Sequence, residues 1–228
     1  MIRDDSFYKP RNTLRTGLMV IACLVAAGHP GGAQAGICFT SASDWLVAAD
    51  GPLYVETFNS STPGPLPLGT TPLDVVTVDL VGAAVGSTRI ANPATEPLFM
   101  FPTQYFAGAI GIAPGNVTEI TFTFPRQTTA WGADFLSAAT GDILTVTIGN
   151  DGPTYNLKDE LGGMGNGFFG TVEPEGFTSI TFRTVAHTPY GEFFSMDNLQ
   201  SVPEPGTIWL ALSGAACLTL AAWIRRRL

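Results

Sequence analysis

The chain has 228 residues, and its 45% hydrophobic and 13% charged side chains exclude a disordered chain, while 26 glycines and 17 prolines exclude a continuous coiled coil. Basic residues concentrate near the two termini, so that residues 36–202 carry four basic and 16 acidic side chains. A segment this acidic repels phosphate backbones, and we expect no nucleic acid among its partners.

The first 35 residues have the three parts of a secretory signal peptide. A basic segment precedes an apolar run over residues 17–27, and Ala33 and Ala35 supply the small residues that a signal peptidase needs. We predict cleavage by signal peptidase after Ala35, so that the exported chain begins at Gly36. Acylation of Cys23 in a lipoprotein signal is the alternative, but the apolar run continues past this cysteine.

We predict that residues 36–201 form one extracellular domain, because no long low-complexity linker divides them. Near its start, Ser43 can cap a short helix over residues 44–49 that buries Trp45. The helix should stop where Asp50 is followed by glycine. We therefore expect one short helix at the beginning of the domain.

Most of the domain alternates between apolar and polar residues, which is typical of strands with one buried face. The alternation is clearest over residues 120–124, 144–148 and 180–183, where threonine occupies most intervening positions. Asn150-Asp151-Gly152 offers the positive φ angles of a hairpin turn. Further candidate strands cover residues 53–58, 73–81, 129–135, 154–157, 168–172 and 192–199. About nine or ten short strands predict an all-β fold, an antiparallel β-sandwich.

The end of the chain combines a rigid segment, an apolar stretch and a basic cluster. Pro203, Glu204 and Pro205 cannot join a helix, because two prolines flank the acid. Residues 206–224 are uncharged, and as a helix they would be about 28 Å long, close to the ~30 Å hydrocarbon core of a bilayer. We predict that they form a transmembrane helix in the inner membrane, with the arginines at 225–227 on the cytoplasmic side.

This tail resembles the PEP-CTERM sorting signal of Gram-negative bacteria over residues 203–228. The resemblance implies that residues 202–228 are a sorting signal, and that an exosortase-like membrane enzyme cleaves near Pro203, Glu204 and Pro205. These three residues would then be the processing site of a substrate. The expected location is an inner-membrane precursor, followed by the cell surface or extracellular matrix. An ordinary C-terminal anchor is the alternative.

The domain between the two terminal segments, which we call the body, is similar to jelly-roll folds of the carbohydrate-binding-module kind. The similarity lies in a short helix before a strand with Glu56, a hairpin over residues 131–146, and a last strand with Asp197 and Asn198. In calcium-stabilised jelly rolls, an acid of an early strand and an aspartate of the last strand often share the ion. The resemblance implies a structural calcium at Glu56 and Asp197, with Asn198 as a further ligand. Ordinary surface or hydrogen-bonded acids are the alternative.

The body offers few groups for catalysis. Cys38 and His187 are the only cysteine and histidine between the two terminal segments, so neither an internal disulfide nor a three-histidine zinc site can form. We expect Cys38 to be packed and His187 to lie in a solvated loop. Candidate platforms for stacking sugar rings are Trp45, Trp131, Tyr105, Tyr155 and Tyr190, with the tyrosines placed near predicted turns.

These observations predict an exported, non-enzymatic protein of the matrix or cell surface, either structural or associated with exopolysaccharide. Two alternatives predict different surfaces. A carbohydrate-binding module would expose a row of aromatic side chains. An extracellular glycan hydrolase would have a deep cleft with two convergent carboxylates, which the 16 acids of the body do not exclude.

Overall fold

The computed structural model describes residues 36–82, 87–96, 101–111, 117–138, 143–184 and 191–204, and the predicted signal peptide and transmembrane segment lie outside these ranges. The prediction of an all-β fold is confirmed, with twelve strands and two short helices within the described ranges. No helix in this part of the chain has the length and apolar character needed to cross a bilayer.

The strands, in chain order, are β1 (Ile37–Phe39), β2 (Tyr54–Glu56), β3 (Gly64–Pro65), β4 (Gly69–Pro72), β5 (Thr77–Val81), β6 (Arg89–Ala91), β7 (Tyr105–Ile110), β8 (Glu119–Leu136), β9 (Leu144–Ile148), β10 (Thr154–Asn156), β11 (Gly167–Thr184) and β12 (Glu192–Pro203). The helices are α1 (Ala42–Ala49) and α2 (Leu157–Leu161). The predicted helix near the start of the domain is therefore present, whereas α2 was not predicted.

Helix α1 is capped by Ser41, and the prediction of Ser43 as the cap is wrong. The Ser41 backbone is extended, with φ −119°, and its Oγ accepts a hydrogen bond from the Asp44 amide at 3.4 Å. Ser43 lies inside the first turn, where its hydroxyl is 2.9 Å from that of Ser41. The helix ends as expected at Asp50, which adopts the left-handed conformation with φ 36°.

Strands β8 and β11 are each 18 residues long, although the sequence predicted two short strands in each place. The two strands pair along most of their length, with register shifts between Val172 and Phe177 and between Phe177 and Ser179. Bulges of this kind bend a strand and interrupt its alternation without ending its pairing. The interrupted alternation is therefore why each long strand was predicted as two.

The two long strands belong to both halves of the fold. In the first half, the neighbouring strands run in the order β4, β5, β8, β11, β9 and β10. In the second half, the order is β1, β11, β8, β12, β7, β6 and β3, and β2 also pairs with β12. All of these pairs are antiparallel. Because β8 and β11 take part in both sets of pairs, the described strands form one sheet that bends along these two strands.

The main core lies where the two halves face each other, which gives a sandwich-like arrangement. Phe182, in the first-half part of β11, is fully buried. Its ring centroid lies 6.2 Å from that of Trp131, 6.1 Å from that of Phe135 and 5.3 Å from that of Phe194, all in the second half. Aromatic pairs at these distances attract each other beyond the area they bury.

A smaller core holds α1 against the second half. The fully buried Trp45 packs on Phe168 and Val202 and donates a hydrogen bond from Nε1 to the Thr171 carbonyl at 3.1 Å. Gly170 lies beneath its ring, and a Cβ there would come within 2.7 Å of Trp45 Cδ1. A glycine is therefore needed for the helix to approach the sheet this closely.

The hairpin between β9 and β10 has the predicted position but a different backbone. Its positive φ of 63° falls on Gly149, and not on the predicted Asn150-Asp151-Gly152 segment. The Ile148 amide donates to the Pro153 carbonyl at 3.0 Å and closes the turn. Strand β10 then ends at Asn156, whose side chain accepts from the Lys158 amide at 3.0 Å and caps α2.

Candidate functional site

The outer face of the first half is polar and rich in threonine. Its inner face carries the alternating apolar side chains that the sequence predicted, and Ile120, Phe122, Val146 and Ile180 are all fully buried there. Because successive side chains of a strand point to opposite faces, the intervening threonines project outward. The same alternation that builds the core therefore builds a surface of hydroxyl groups.

Strand register aligns these hydroxyls into one row across six strands. The row runs through Thr70, Asp79, Thr121, Thr181, Thr147 and Thr154, each opposite the next on a neighbouring strand. At a strand spacing of about 4.8 Å, the row is roughly 24 Å long.

Hydrogen bonds join three of the five neighbouring pairs in the row. The hydroxyls of Thr121 and Thr181 are 3.0 Å apart, and those of Thr147 and Thr154 are 2.8 Å apart. At one end, Thr70 Oγ1 donates to Asp79 Oδ1 at 3.1 Å. Each hydroxyl can donate one hydrogen bond and accept two, so these contacts leave capacity for a ligand.

An ion pair lies beside the row. The Nε of Arg183 donates to Glu119 Oε2 at 2.7 Å, and the Arg183 side chain is 54% exposed. Thr121 Oγ1 also donates to the other Glu119 oxygen at 3.3 Å. The pair therefore fixes one positive and one negative group next to the central threonines.

A cavity of about 410 Å³ lies over this face. We call it the threonine groove and define it by Thr70, Asp79, Glu119, Thr121, Thr181 and Arg183, which are among its lining residues. None of the residues that line it is aromatic. Two carboxylates, one guanidinium and a set of hydroxyls suit a ligand that is itself rich in hydroxyls and carries little charge.

The four predicted aromatic platforms that the structure describes do not line this groove. Trp45, Trp131 and Tyr105 are 0%, 0% and 1% exposed, so their rings are not open to a sugar, and Tyr105 is the first residue of β7. Tyr155 is half-buried, with its ring centroid 5.5 Å from that of Phe169. Tyr190 lies outside the described residues.

Glu56, a predicted calcium ligand, is fully buried at the end of β2. Its Oε1 accepts a hydrogen bond from the Phe58 amide at 2.9 Å, and its Oε2 accepts one from the Val75 amide, also at 2.9 Å. Phe58 has φ 59°, so the carboxylate holds a strained turn against the loop before β5. These contacts give Glu56 a structural role that spacing in the sequence did not predict.

Asp197, the second predicted ligand, is 2% exposed in β12. Its Oδ1 accepts from the Asn198 amide at 2.7 Å and its Oδ2 from the Thr103 hydroxyl at 2.8 Å. Burial raises the pKa of Asp197, the two hydrogen bonds lower it, and the charge of Asp134 on the neighbouring strand raises it again. Asn198 donates from Nδ2 to Asp134 Oδ2 at 3.0 Å and thus also contacts this pair of acids.

Hydrogen bonds account for the carboxylates of Glu56 and Asp197 without a shared calcium ion. Calcium takes 6 to 8 oxygen ligands, yet all four carboxylate oxygens here accept hydrogen bonds from N–H or O–H donors. No cluster of three or more acidic, histidine or cysteine side chains that could hold a metal occurs in the described ranges. The arrangement favours the alternative of hydrogen-bonded structural acids.

We therefore expect EDTA to leave the melting temperature of the protein within about 1 °C of its value in 1 mM calcium. A calcium ion bound to the folded state at 100 times its Kd would stabilise it by about 2.7 kcal/mol, and its removal would be visible. Differential scanning calorimetry of the same sample in both buffers measures the difference. A drop of several degrees in EDTA would restore the calcium prediction.

The predicted processing segment begins inside the folded domain. The sequence placed the domain end at residue 201, but β12 continues through Pro203, and Val202 is only 3% exposed. Glu204 is exposed, and its amide donates to the Gln127 carbonyl at 2.8 Å. Pro205 lies outside the described residues. The acid of the motif is thus presented directly at the end of the last strand.

Cys38 is not among the residues that line the groove. Cys38 is partly buried and packs against the main core, as predicted, and its Sγ donates to Glu160 Oε2 at 3.3 Å. Burial raises the pKa of this thiol, and the carboxylate of Glu160 raises it further, which makes Cys38 a poor nucleophile at neutral pH. His187 lies outside the described residues.

Comparison with known proteins yields no family assignment. No family model matches the chain, and no curated protein sequence matches it. A function for this chain therefore has to be inferred from its own residues and contacts.

Proposed function

We propose that this chain is an exported PEP-CTERM protein with a jelly-roll-like body, a non-enzymatic exosortase substrate that associates with exopolysaccharide at the cell surface or in the matrix. Export is supported by the signal peptide with its Ala33 and Ala35 cleavage site, and by the tripartite tail from Pro203 onward. Association with polysaccharide is supported by one structural observation, the threonine groove.

The groove suits a neutral polysaccharide better than an anionic one. The only guanidinium among its lining residues is paired with Glu119, and the body around it carries 16 acids against four bases. The row of polar side chains crosses the groove and continues beyond it to Thr147 and Thr154, and over its length of roughly 24 Å it can exchange hydrogen bonds with several consecutive sugar residues of an extended chain. Each such bond contributes only about 0.5–1.5 kcal/mol, so we expect weak binding per site and retention through many sites on one polymer.

The two alternatives receive less support. A carbohydrate-binding module that stacks sugars on a row of aromatics would need exposed rings, but Trp45, Trp131 and Tyr105 are buried. A hydrolase would need a protonated acid in an enclosed apolar pocket, whereas Glu119 in the groove is paired with an exposed guanidinium. Both comparisons favour a binding role without catalysis.

Replacement of Thr121 and Thr181 together by valine should weaken retention on polysaccharide by about tenfold, because two hydroxyls that face the ligand are lost. The two hydroxyls bond each other, and the Glu119 oxygen that loses the bond from Thr121 is partly exposed and can bind water, so the melting temperature should stay within about 2 °C. Affinity electrophoresis in gels that contain cellulose derivatives, β-1,3-glucan or the producing cell's exopolysaccharide measures retention.

The matched control is Thr178→Val, which removes an exposed hydroxyl of the same strand that does not line the groove. Equal retention of the double variant and the control on every glycan that retains the unsubstituted protein would reject the groove. Hydrolysis of any glycan in the panel would reject the non-enzymatic role.

A further inference from the structure

Glu173 is a buried carboxylate with no cationic partner among the residues described. It is 7% exposed, and the two ion pairs found in the described ranges join other residues. Burial raises its pKa, a hydrogen bond from the Tyr155 hydroxyl at 3.2 Å lowers it, and the nearby charge of Glu175 raises it again. An ionised carboxylate in this position is costly unless a positive charge lies beside it.

The residue that lies against this carboxylate is Gly36. Strand β1 pairs Ile37 with Val172, which places Gly36 opposite Glu173 on the neighbouring strand. A Cβ built on Gly36 would lie 1.8 Å from Glu173 Oε1 and 2.3 Å from Oε2, so the carboxylate fills the space that a side chain would take. Because N and Cβ are both bonded to Cα, the Gly36 nitrogen lies no more than about 4.3 Å from Oε1.

We propose that signal-peptide removal supplies the missing positive charge, and that the new α-ammonium of Gly36 forms an ion pair with Glu173 in the mature protein. The pair rests on the export step of the proposed function, because it requires cleavage after Ala35. Hydrolysis of that peptide bond adds the hydroxyl of water to the Ala35 carbonyl carbon and a proton to the Gly36 nitrogen. The resulting amine is protonated at neutral pH, since its ordinary pKa is about 7.7–8.0.

In the precursor the same nitrogen is a neutral amide, so the pair distinguishes the mature chain from the precursor. It ties β1 to β11 at the edge of the second half. The groups that face Glu173 are Tyr155 from β10 and Glu175 from its own strand, and Cys38 and Glu160 lie close to Tyr155. None of these groups carries positive charge, so the ammonium is the cation that balances the cluster.

The pair also predicts a pH dependence of stability. An amine that gains a carboxylate partner on folding has a higher pKa folded than unfolded, so its contribution is complete below about pH 8 and disappears as pH rises through the folded value. We expect the difference in melting temperature between the unsubstituted protein and Glu173→Gln to be constant between pH 6 and 7.5 and to shrink above pH 9. Ionisation of Tyr155 does not interfere at this pH, because burial holds the pKa of Tyr155 well above the usual range.

The experiment uses the full chain, exported and processed by its own signals. One set carries the native cleavage site, and a second has a serine and a glycine inserted between Ala35 and Gly36, which keeps the ammonium but moves it away from Glu173. We expect Glu173→Gln to lower the melting temperature by about 3–6 °C in the first set and by less than about 1 °C in the second. Glu175→Gln, an exposed carboxylate of the same strand, is the control and should behave alike in both.

Mass spectrometry of the mature N-terminus separates failure of the pair from failure of the export step. A mature chain that begins at Gly36, with equal effects of Glu173→Gln in both sets, overturns the pair and leaves the export step standing. A different first residue overturns both. If Glu173→Gln does not fold, competitive acetylation of the unsubstituted protein decides: the pKa of the α-amine should lie above 8, and an ordinary value overturns the pair.

Discussion

We expect Phe182→Ala to lower the free energy of unfolding by about 3–5 kcal/mol, the range for deletion of a buried aromatic ring. The ring is fully buried and contacts rings from both halves of the fold, so its removal leaves a cavity that neither half can close alone. For a chain of this size the melting temperature should fall by roughly 10 °C, which thermal unfolding followed by circular dichroism measures.

The matched control is Phe193→Ala on β12, where the ring is 43% exposed. Deletion of this ring should cost clearly less than deletion of Phe182, because 43% of its surface already lies in water in the folded protein. Equal losses in the two variants would contradict a core located between the two halves.

The second large effect is expected for processing. With Glu204→Ala, the ratio of full-length precursor to processed protein in cells should rise by about 10- to 100-fold, the effect of losing one charge-assisted hydrogen bond to an enzyme. Glu204 is exposed at the end of β12, so its carboxylate is free to contact a processing enzyme, and its backbone bond to Gln127 does not depend on the side chain. Immunoblots of membrane and secreted fractions measure the ratio.

Glu175→Ala removes another exposed carboxylate of the body and serves as the control. It should leave the ratio unchanged. If both variants are processed like the unsubstituted chain, residues 203–228 act as an ordinary anchor, and the proposal of exosortase processing fails.

The local alternation of side chains predicted the buried face of the fold well. Ile120, Phe122, Val146 and Phe182 are all buried as the period-two pattern required. The pattern did not predict that two pairs of strands are continuous, because the bulges near Phe177 break the alternation within β11. The prediction of the N-terminal cap was also wrong, since Ser41 and Ser43 both precede the apolar face of the helix and only the backbone conformation distinguishes them.

The threonine groove could be predicted only in part. The outward threonines of the row at 121, 147 and 181 are visible in the sequence as the polar half of the alternation. Their alignment into a row depends on the register between strands that lie up to 60 residues apart, as for Thr121 and Thr181. The same reason applies to Glu56, whose turn contacts with Phe58 and Val75 come from tertiary folding.

The two 18-residue strands have a consequence for how the protein resists damage. Because β8 and β11 run through both halves, neither half can unfold while the other stays folded. Local opening should stop at the short peripheral strands, such as β3 and β10, and anything larger involves the whole domain. At the proposed location outside the cell, where no chaperone would refold a loosened chain, such all-or-none behaviour would leave few partly open states for proteases to attack.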